Sequence, residues 1–240
     1  MLVDSFEIFD GGLFIKDLDA VVISDTHFGF EESLNREGVF VPRFHFDDVV
    51  SRMKGVFDSV GRKVRYVIVN GDLKHVFGKV IFQEEKDVLR FVDFLEGFCE
   101  EVVLVKGNHD VMLDFIVGKK NISSVDFFFE KGFYVTHGHL LPDESLMGDI
   151  RVVVIGNEHS AVSLSDGVRS EKFKCFLFGF WRGKRLVVMP SFHNLTVGSD
   201  VLGGDFLSPY LDGDVSDFDV YVLGDAVYHF GKIRDLSKSF

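Results

Sequence analysis

The chain has 240 residues, 46% of them hydrophobic, which is enough apolar material for a sizeable core and excludes a disordered polymer. Its formal charge is −12, from 26 basic and 38 acidic residues, so a general nucleic-acid coat is excluded. A phosphate ester could still be held at a local positive site or through bound cations. Two cysteines, Cys99 and Cys175, stand far apart and fit no metal-ligand spacing, so the expectation is a reduced cytoplasmic protein. The opening "MLVDSFEIFD" has neither a basic n-region nor a long apolar core, and nothing approaches the roughly 18 apolar residues of a membrane span. The excess of Phe, 28 residues, reads as core packing. With no repeat, no low-complexity tract and only four Pro, residues 1–240 are read as a single domain.

In chain order, short β-branched runs mark strands buried on both faces: "AVVIS" (20–24), "YVIVN" (66–70), "VVLVK" (102–106), "GFYVT" (132–136) and "VVVIG" (152–156). Between the first three lie amphipathic segments. Residues 46–60 place Val49, Val50, Met53, Val56, Phe57 and Val60 at helical spacing, and residues 82–98 do the same with Val88, Leu89, Phe91, Val92 and Leu95. Strand alternating with helix predicts α/β architecture with parallel pairing. The last third changes to strands joined by short turns, which predicts a second, more antiparallel sheet packed on the first, closed by a hairpin at "LGDAVYHFG" (223–231).

Each of the five runs is followed at once by polar groups. Asp25, Thr26 and His27 follow the first, Gly71 and Asp72 the second, and Gly107, Asn108, His109 and Asp110 the third. His137, Gly138 and His139 follow the fourth, and Asn157, Glu158 and His159 the fifth. Ligands of open α/β sheets bind at the carboxyl ends of parallel strands, so side-by-side strands would make these groups converge. Carboxylate, imidazole and amide oxygen together suit borderline divalent ions, and two such ions can clamp both oxygens of an in-line displacement at phosphorus. Glycines before Asp72 and Asn108 suit sharp turns near the ions.

The order Asp-x-His, Gly-Asp, Gly-Asn-His-Asp, His and Gly-x-x-His over residues 25–159 resembles the calcineurin-like metallophosphoesterases. The flanks "SDTHFGFEESLNREGVFVP", "NGDLKHVFG", "GNEHSAVSL" and "VVMPSFHNLTVGSDV" are similar to the branch related to the nuclease Mre11/SbcD. That branch comprises archaeal phosphoesterases and bacterial enzymes encoded beside a DNA ligase and an Lhr-type helicase. The resemblance implies a two-sheet β-sandwich flanked by helices (four layers, αββα) and a dinuclear metal-dependent phosphodiesterase. Mn²⁺ is the first choice, with Fe²⁺, Co²⁺, Ni²⁺ or Zn²⁺ as alternatives. By position it implies one metal on Asp25, His27, Asp72 and His159, with Asp72 bridging, and a second on Asn108 and His137. A metal-bound hydroxide would attack, His109 would contact the scissile phosphate, and Asp110 would orient His109. One position departs from the family pattern: Asn157 stands where a histidine ligand of the second metal is usual, and His139 or water is the alternative donor.

Besides Asn108 and His109, His75 and His139 are expected near substrate, while His193 in "MPSFHNL" could reach the pocket from the second sheet. Arg169, Lys172, Lys174, Arg182, Lys184 and Arg185 form a basic island with Glu171 as its one acid. It would serve either as a phosphate-backbone contact or as edge-strand protection. The absence of a cap-sized insertion before the fourth motif favours an open cleft and an extended substrate such as single-stranded DNA. Small-molecule or cyclic-nucleotide ester hydrolysis is the alternative within enzymes. A weakly active partner of a DNA-repair helicase or ligase is the alternative outside them. No membrane partner is expected.

Overall fold

A computed structural model describes residues 5–120, 122–165 and 167–236; part of the N-terminal leader reading therefore lies outside the described residues. The first sheet holds β1 (Phe6–Phe9), β2 (Gly12–Ile15), β3 (Ala20–Ile23), β4 (Val64–Asn70), β5 (Cys99–Val105) and β6 (Ser124–Val125), in that spatial order. Strands β3 to β6 pair in parallel, and their crossovers carry α2 (His45–Val60), α3 (Phe82–Glu96) and α4 (Leu113–Val117). A short α1 (Phe30–Arg36) follows the first motif. Helix α2 buries Val49, Met53, Val56 and Phe57 on one stripe. It stops at Gly61, whose left-handed φ of 73° lets its N–H return to the Phe57 carbonyl at 2.8 Å.

The second sheet holds β7 (Phe128–Glu130), β8 (Phe133–Thr136), β9 (Val152–Ile155), β10 (Ser160–Ser165), β11 (Ser170–Trp181), β12 (Lys184–Val188), β13 (Ser199–Asp200), β14 (Asp219–Leu223) and β15 (Val227–Lys232). Its order is β13-β10-β11-β12-β9-β8-β7, with β14 pairing β11 and β15 pairing β14. Antiparallel pairs dominate, but β8, β9 and β12 run parallel, and the closing hairpin is β14 with β15. The five motif-bearing strands therefore do not lie side by side. Three belong to the first sheet and two, β8 and β9, to the second, so the polar ends converge across two sheets.

Residue parity explains why the runs are apolar throughout. In β3, Val21 and Ile23 face helices α2 and α3 while Ala20 and Val22 face the second sheet; in β9, Val152 and Val154 face inward while Val153 and Ile155 face outward. The outer face of the second sheet is covered by the chain around Val201, Tyr210, Leu211 and Phe218 and by α5 (Ile233–Leu236). The two sheets are tied at the motif end by the Phe192 N–H, which donates to the Ser24 carbonyl at 2.7 Å.

The basic island is split in space. Lys174 is turned inward near the motif end, whereas Arg182, Lys184 and Arg185 sit at the β11–β12 turn, at the other end of the sheet from Val188, which pairs with Leu177. Edge protection does not describe it either, because β11 pairs with β10, β12 and β14.

Candidate functional site

The motif loops are tightly kinked. Asp25 (φ 55°), His27 (48°), Asp72 (45°), Asn157 (63°) and His159 (48°) all adopt the left-handed region that costs non-glycine residues energy. The loops after β3 and β4 continue the parallel pairing: the Asp25 N–H donates to the Gly71 carbonyl at 3.1 Å and the His27 N–H to the Asp72 carbonyl at 2.9 Å. Three glycines keep room for the side chains. A Cβ on Gly71 would lie 2.2 Å from the His137 ring, one on Gly107 2.0 Å from Asp72 Oδ1, and one on Gly156 1.8 Å from Ser24 Oγ. For Gly107 it is this close approach, rather than a left-handed turn, that requires glycine.

The side chains meet around two buried carboxylates. Asp25 Oδ1 lies 2.9 Å from His137 Nε2 and 3.3 Å from His159 Nε2. Asp25 Oδ2 accepts from Ser24 Oγ at 2.6 Å and from the Asn157 N–H at 3.1 Å. Asp72 Oδ2 is 3.7 Å from His27 Nε2, 3.7 Å from His137 Nε2 and 3.9 Å from His109 Nε2, while its Oδ1 accepts the His109 N–H at 3.0 Å. His27 Nε2 and His159 Nε2 are 3.3 Å apart. Donor atoms of Asp25, Asp72 and His137 form one group within 4.8 Å, and those of His27, His75 and His109 and of His27, His159 and His193 form two more.

That constellation has a family. The sequence pattern of the calcineurin-like phosphoesterases matches residues 19–228. The chain belongs to that family. Its members are dinuclear metal-dependent phosphoesterases, which makes this protein a metal-dependent phosphoesterase. No curated protein matches the sequence. Among solved structures, nuclease MPE of Pseudomonas putida is 16% identical over 94% of this chain and 94% of that chain, with a TM-score of 0.66. The phosphoesterase Yfce of E. coli is 17% identical over 91% and 94%, with a TM-score of 0.41. Vps29 of Entamoeba histolytica with zinc is 16% identical over 88% and 96%, with a TM-score of 0.33. The likeness to the Pseudomonas nuclease is one of fold.

The donor set of this calcineurin-like site fits divalent cations. Asp25 and Asp72 are 0% and 3% exposed, and no lysine or arginine pairs with either among the described residues. Burial pushes the Asp72 carboxyl up to about 6, with Asp25 and Asp110 adding to it against His137. Burial also works against ionised Asp25, but His159 and His137 outweigh it and hold its carboxyl well below the usual range. His27 falls well below the ordinary imidazole value through burial, against Asp25. His75 falls to about 4 through burial and the neighbouring His109. His27 and His75 are thereby held neutral, the state that binds borderline divalent metals, whereas against burial Asp25, Asp72 and Asp110 raise His137, so a cation there would have to displace its proton.

Not every sequence-predicted residue does what the resemblance implies. Asp110 does not hold the His109 ring. Its carboxylate accepts N–H groups of Gly107 (2.9 Å), Lys74 (3.2 Å) and Leu73 (3.3 Å), bracing the Asp72 loop against the Asn108 loop. The His109 ring is set instead by its Nδ1, 2.5 Å from the His75 carbonyl. Asn108 is exposed and lines an open cleft of ≈ 540 Å³ with Phe77, Phe127, His139 and Leu140. Asn157 touches Asp25 through its main chain, and asparagine is among the residues that tolerate the left-handed backbone there. His139 Nδ1 stands 3.2 Å from His137 Nδ1, behind the ring nitrogen that faces Asp25. His75 Nδ1 lies 3.4 Å from His27 Nδ1. His45 donates from Nε2 to the Thr26 carbonyl at 2.6 Å and so braces the first motif loop.

Two supports escaped sequence reasoning. Ser24 Oγ also reaches the Asn70 carbonyl at 2.7 Å, joining the ends of β3 and β4 behind Asp25. Glu84, on α3, accepts the N–H groups of His75 (3.0 Å) and Val76 (2.8 Å) and fixes the His75 loop. The available signal was spacing: Glu84 stands four and seven residues before Val88 and Phe91, on the apolar stripe of the helix.

Proposed function

We propose that the protein hydrolyses phosphodiesters at a pair of divalent cations, with single-stranded DNA or a related nucleic-acid phosphodiester as substrate. The observation that carries this reading is the packing of Asp25, His27, Asp72, His137 and His159 around shared space, with His109 at its open side. In it, Asp25, His27, Asp72 and His159 hold one cation. Asp72, Asn108 and His137 hold the other, with Asn157 beside them. The cations supply charge neutralisation and acidify water. His109 keeps Nδ1–H engaged with the His75 carbonyl, which aims Nε2 toward the place a phosphate would occupy; with Nδ1–H so engaged, the ring would give a proton from Nε2 to the leaving oxygen as an imidazolium and end as the neutral Nδ1–H form. His75 and His139 line the substrate side.

The open cleft beside Asn108 accommodates an extended strand, and the fold is shared with a Pseudomonas nuclease. On this reading the chain falls in the Mre11/SbcD-related branch, takes Mn²⁺ as its metal and works in the cytoplasm. Asn157 favours a second reading, a weakly active partner of a DNA-repair helicase or ligase, because an amide oxygen binds metal less tightly than imidazole. The test is hydrolysis by chelator-stripped protein with Mn²⁺ titrated in. Its substrates are bis-p-nitrophenyl phosphate, single-stranded DNA, 2′,3′-cyclic nucleotides and p-nitrophenyl phosphate. Diester and DNA cleavage that rises with Mn²⁺ is expected. Cleavage of the monoester or the cyclic nucleotides alone would replace the substrate class, and no cleavage at saturating Mn²⁺ would leave the partner reading standing.

A further inference from the structure

A further imidazole faces the same space from the second sheet. His193 lies between β12 and β13 and is 2% exposed. Its ring stands 5.4 Å from that of His27 and 5.7 Å from that of His159, with the Phe30 ring stacked on it at 6.5 Å. By distance alone it would complete a three-histidine metal site.

Its hydrogen bonding argues otherwise. The Leu195 N–H donates to His193 Nδ1 at 3.1 Å, so Nδ1 keeps its lone pair. A neutral imidazole in that state carries its proton on Nε2. A metal-binding imidazole shows the reverse pattern, donating from the nitrogen that does not bind. His193 therefore presents a hydrogen-bond donor to the site, not a lone pair.

The segment carrying this ring is clamped from both sheets. Lys174, on β11, is turned inward and donates from Nζ to Ser191 O (2.7 Å), Ser191 Oγ (2.5 Å) and His193 O (2.6 Å). Arg52, on α2, donates to the Phe192 carbonyl and to Asn194 Oδ1 (2.9 Å), while holding Asp10 O at 2.7 Å. The Phe192 N–H is fixed to Ser24, the residue before Asp25. Turning a half-buried lysine away from water is costly unless its donors are satisfied, and here all three point at one three-residue segment, Ser191 to His193. Scaffolding of this kind fixes a side chain whose position matters.

We propose that His193 is a further active-site residue whose Nε2–H donates to a phosphoryl oxygen of substrate bound beside His27 and His159, with Lys174 and Arg52 as its positioning residues. This rests on the phosphoesterase reading above. The test uses the full chain, wild type against His193→Leu and His193→Gln, the Gln amide nitrogen falling near the position of Nε2. Calorimetry reads Mn²⁺ stoichiometry and affinity, then inorganic phosphate affinity of the Mn²⁺-loaded protein; kcat and KM are read on bis-p-nitrophenyl phosphate.

Equal Mn²⁺ stoichiometry in all three proteins is expected. His193→Leu should bind phosphate on the order of tenfold more weakly and lose ~10–100-fold in kcat, as for a hydrogen bond to a charged partner. His193→Gln should recover most of both. Loss of an Mn²⁺ ion in His193→Leu would show a ligand and overturn the inference. Unchanged phosphate affinity and kcat in His193→Leu would overturn it while leaving the phosphodiesterase reading intact. A wild type that binds Mn²⁺ but neither binds phosphate nor hydrolyses any ester would defeat both. Thermal unfolding of the apoproteins separates these outcomes from misfolding. If His193→Leu unfolds, the comparison of His193→Gln with Lys174→Met decides. Lys174→Met should weaken phosphate binding with Mn²⁺ stoichiometry unchanged, and intact phosphate affinity there would count against the clamp.

Discussion

The site has a buried half and an open half, made from the same strand ends but for different dielectric settings. Asp25, Asp72 and His137 are at most 3% exposed, and their donor atoms face one another. Asn108 and His109 follow β5 by only a few residues, yet Asn108 is exposed and the His109 side chain is 30% exposed. Holding cations calls for desolvated, oppositely charged donors, because electrostatic attraction grows as water is excluded. Meeting a substrate calls for groups that water, and then the ester, can reach. The same Gly-Asn-His-Asp run supplies both, since Asp110 turns back into the protein to brace the loops while Asn108 and His109 face out.

If that division is right, single substitutions should separate metal binding from chemistry. Asp72→Ala should lose both, with Mn²⁺ stoichiometry reduced and kcat down by at least about 10³-fold, as expected when a group that shapes transition-state charge is removed. His109→Ala should lose kcat by roughly 10²–10³-fold while Mn²⁺ binding, read by calorimetry, stays intact. Full turnover in either variant, or metal lost from His109→Ala, breaks the division. Gly107→Ala comes next. Its Cβ would enter the space of Asp72 Oδ1 and the Asp72 backbone nitrogen (2.3 Å), so Asp72 must move. A loss of ~1–3 kcal/mol in denaturant unfolding is expected, together with weaker Mn²⁺ binding.

A third prediction concerns pH in the metal-free protein. Burial raises the Asp72 pKa in the folded state above its unfolded value of 3.8, to about 6. The folded state then binds the Asp72 proton more tightly, so ionising this group costs stability as pH rises from about 4 to about 6. Asp72→Asn removes that cost. Without metal the variant should be more stable than wild type at pH 7, by on the order of 2 kcal/mol, and the gap should close toward pH 4. Saturating Mn²⁺ should reverse the order, because the carboxylate binds it more tightly than the neutral amide does. Thermal melts with and without Mn²⁺ at the two pH values read all four states. The smallest effect should come from Asn157→His. If a weak second site limits loading, half-maximal activity should need only a few-fold less Mn²⁺, and an unchanged Mn²⁺ requirement would remove Asn157 as the reason for weak loading.

The strands that carry the motifs were legible because burial on both faces leaves an uninterrupted β-branched run, as in β4 and β9. The two long helices were legible from their apolar stripes. The N-terminal hairpin of β1 and β2 was missed, although Asp10 and Gly11, both at positive φ, form the two-residue turn such a pair favours. Reading the basic island as one surface failed because it counts charge along the chain, while β11 and β12 carry Lys174 and Arg182 to different ends of the sheet. Asp110 was misassigned because adjacency in sequence says nothing about which way a side chain turns after a tight bend.

The sequence by itself determined the alternation of strand and helix, the family, and which residue types gather at the strand ends, because periodicity and donor chemistry are local properties. Only the tertiary structure decided that the strand ends come from two sheets. It also decided that Asp110 serves the backbone while the His75 carbonyl serves His109, and that a half-buried lysine and an arginine hold His193 beside His27 and His159. These depend on where a carbonyl or an imidazole lies relative to residues tens of positions away, and only the packed chain fixes such distances.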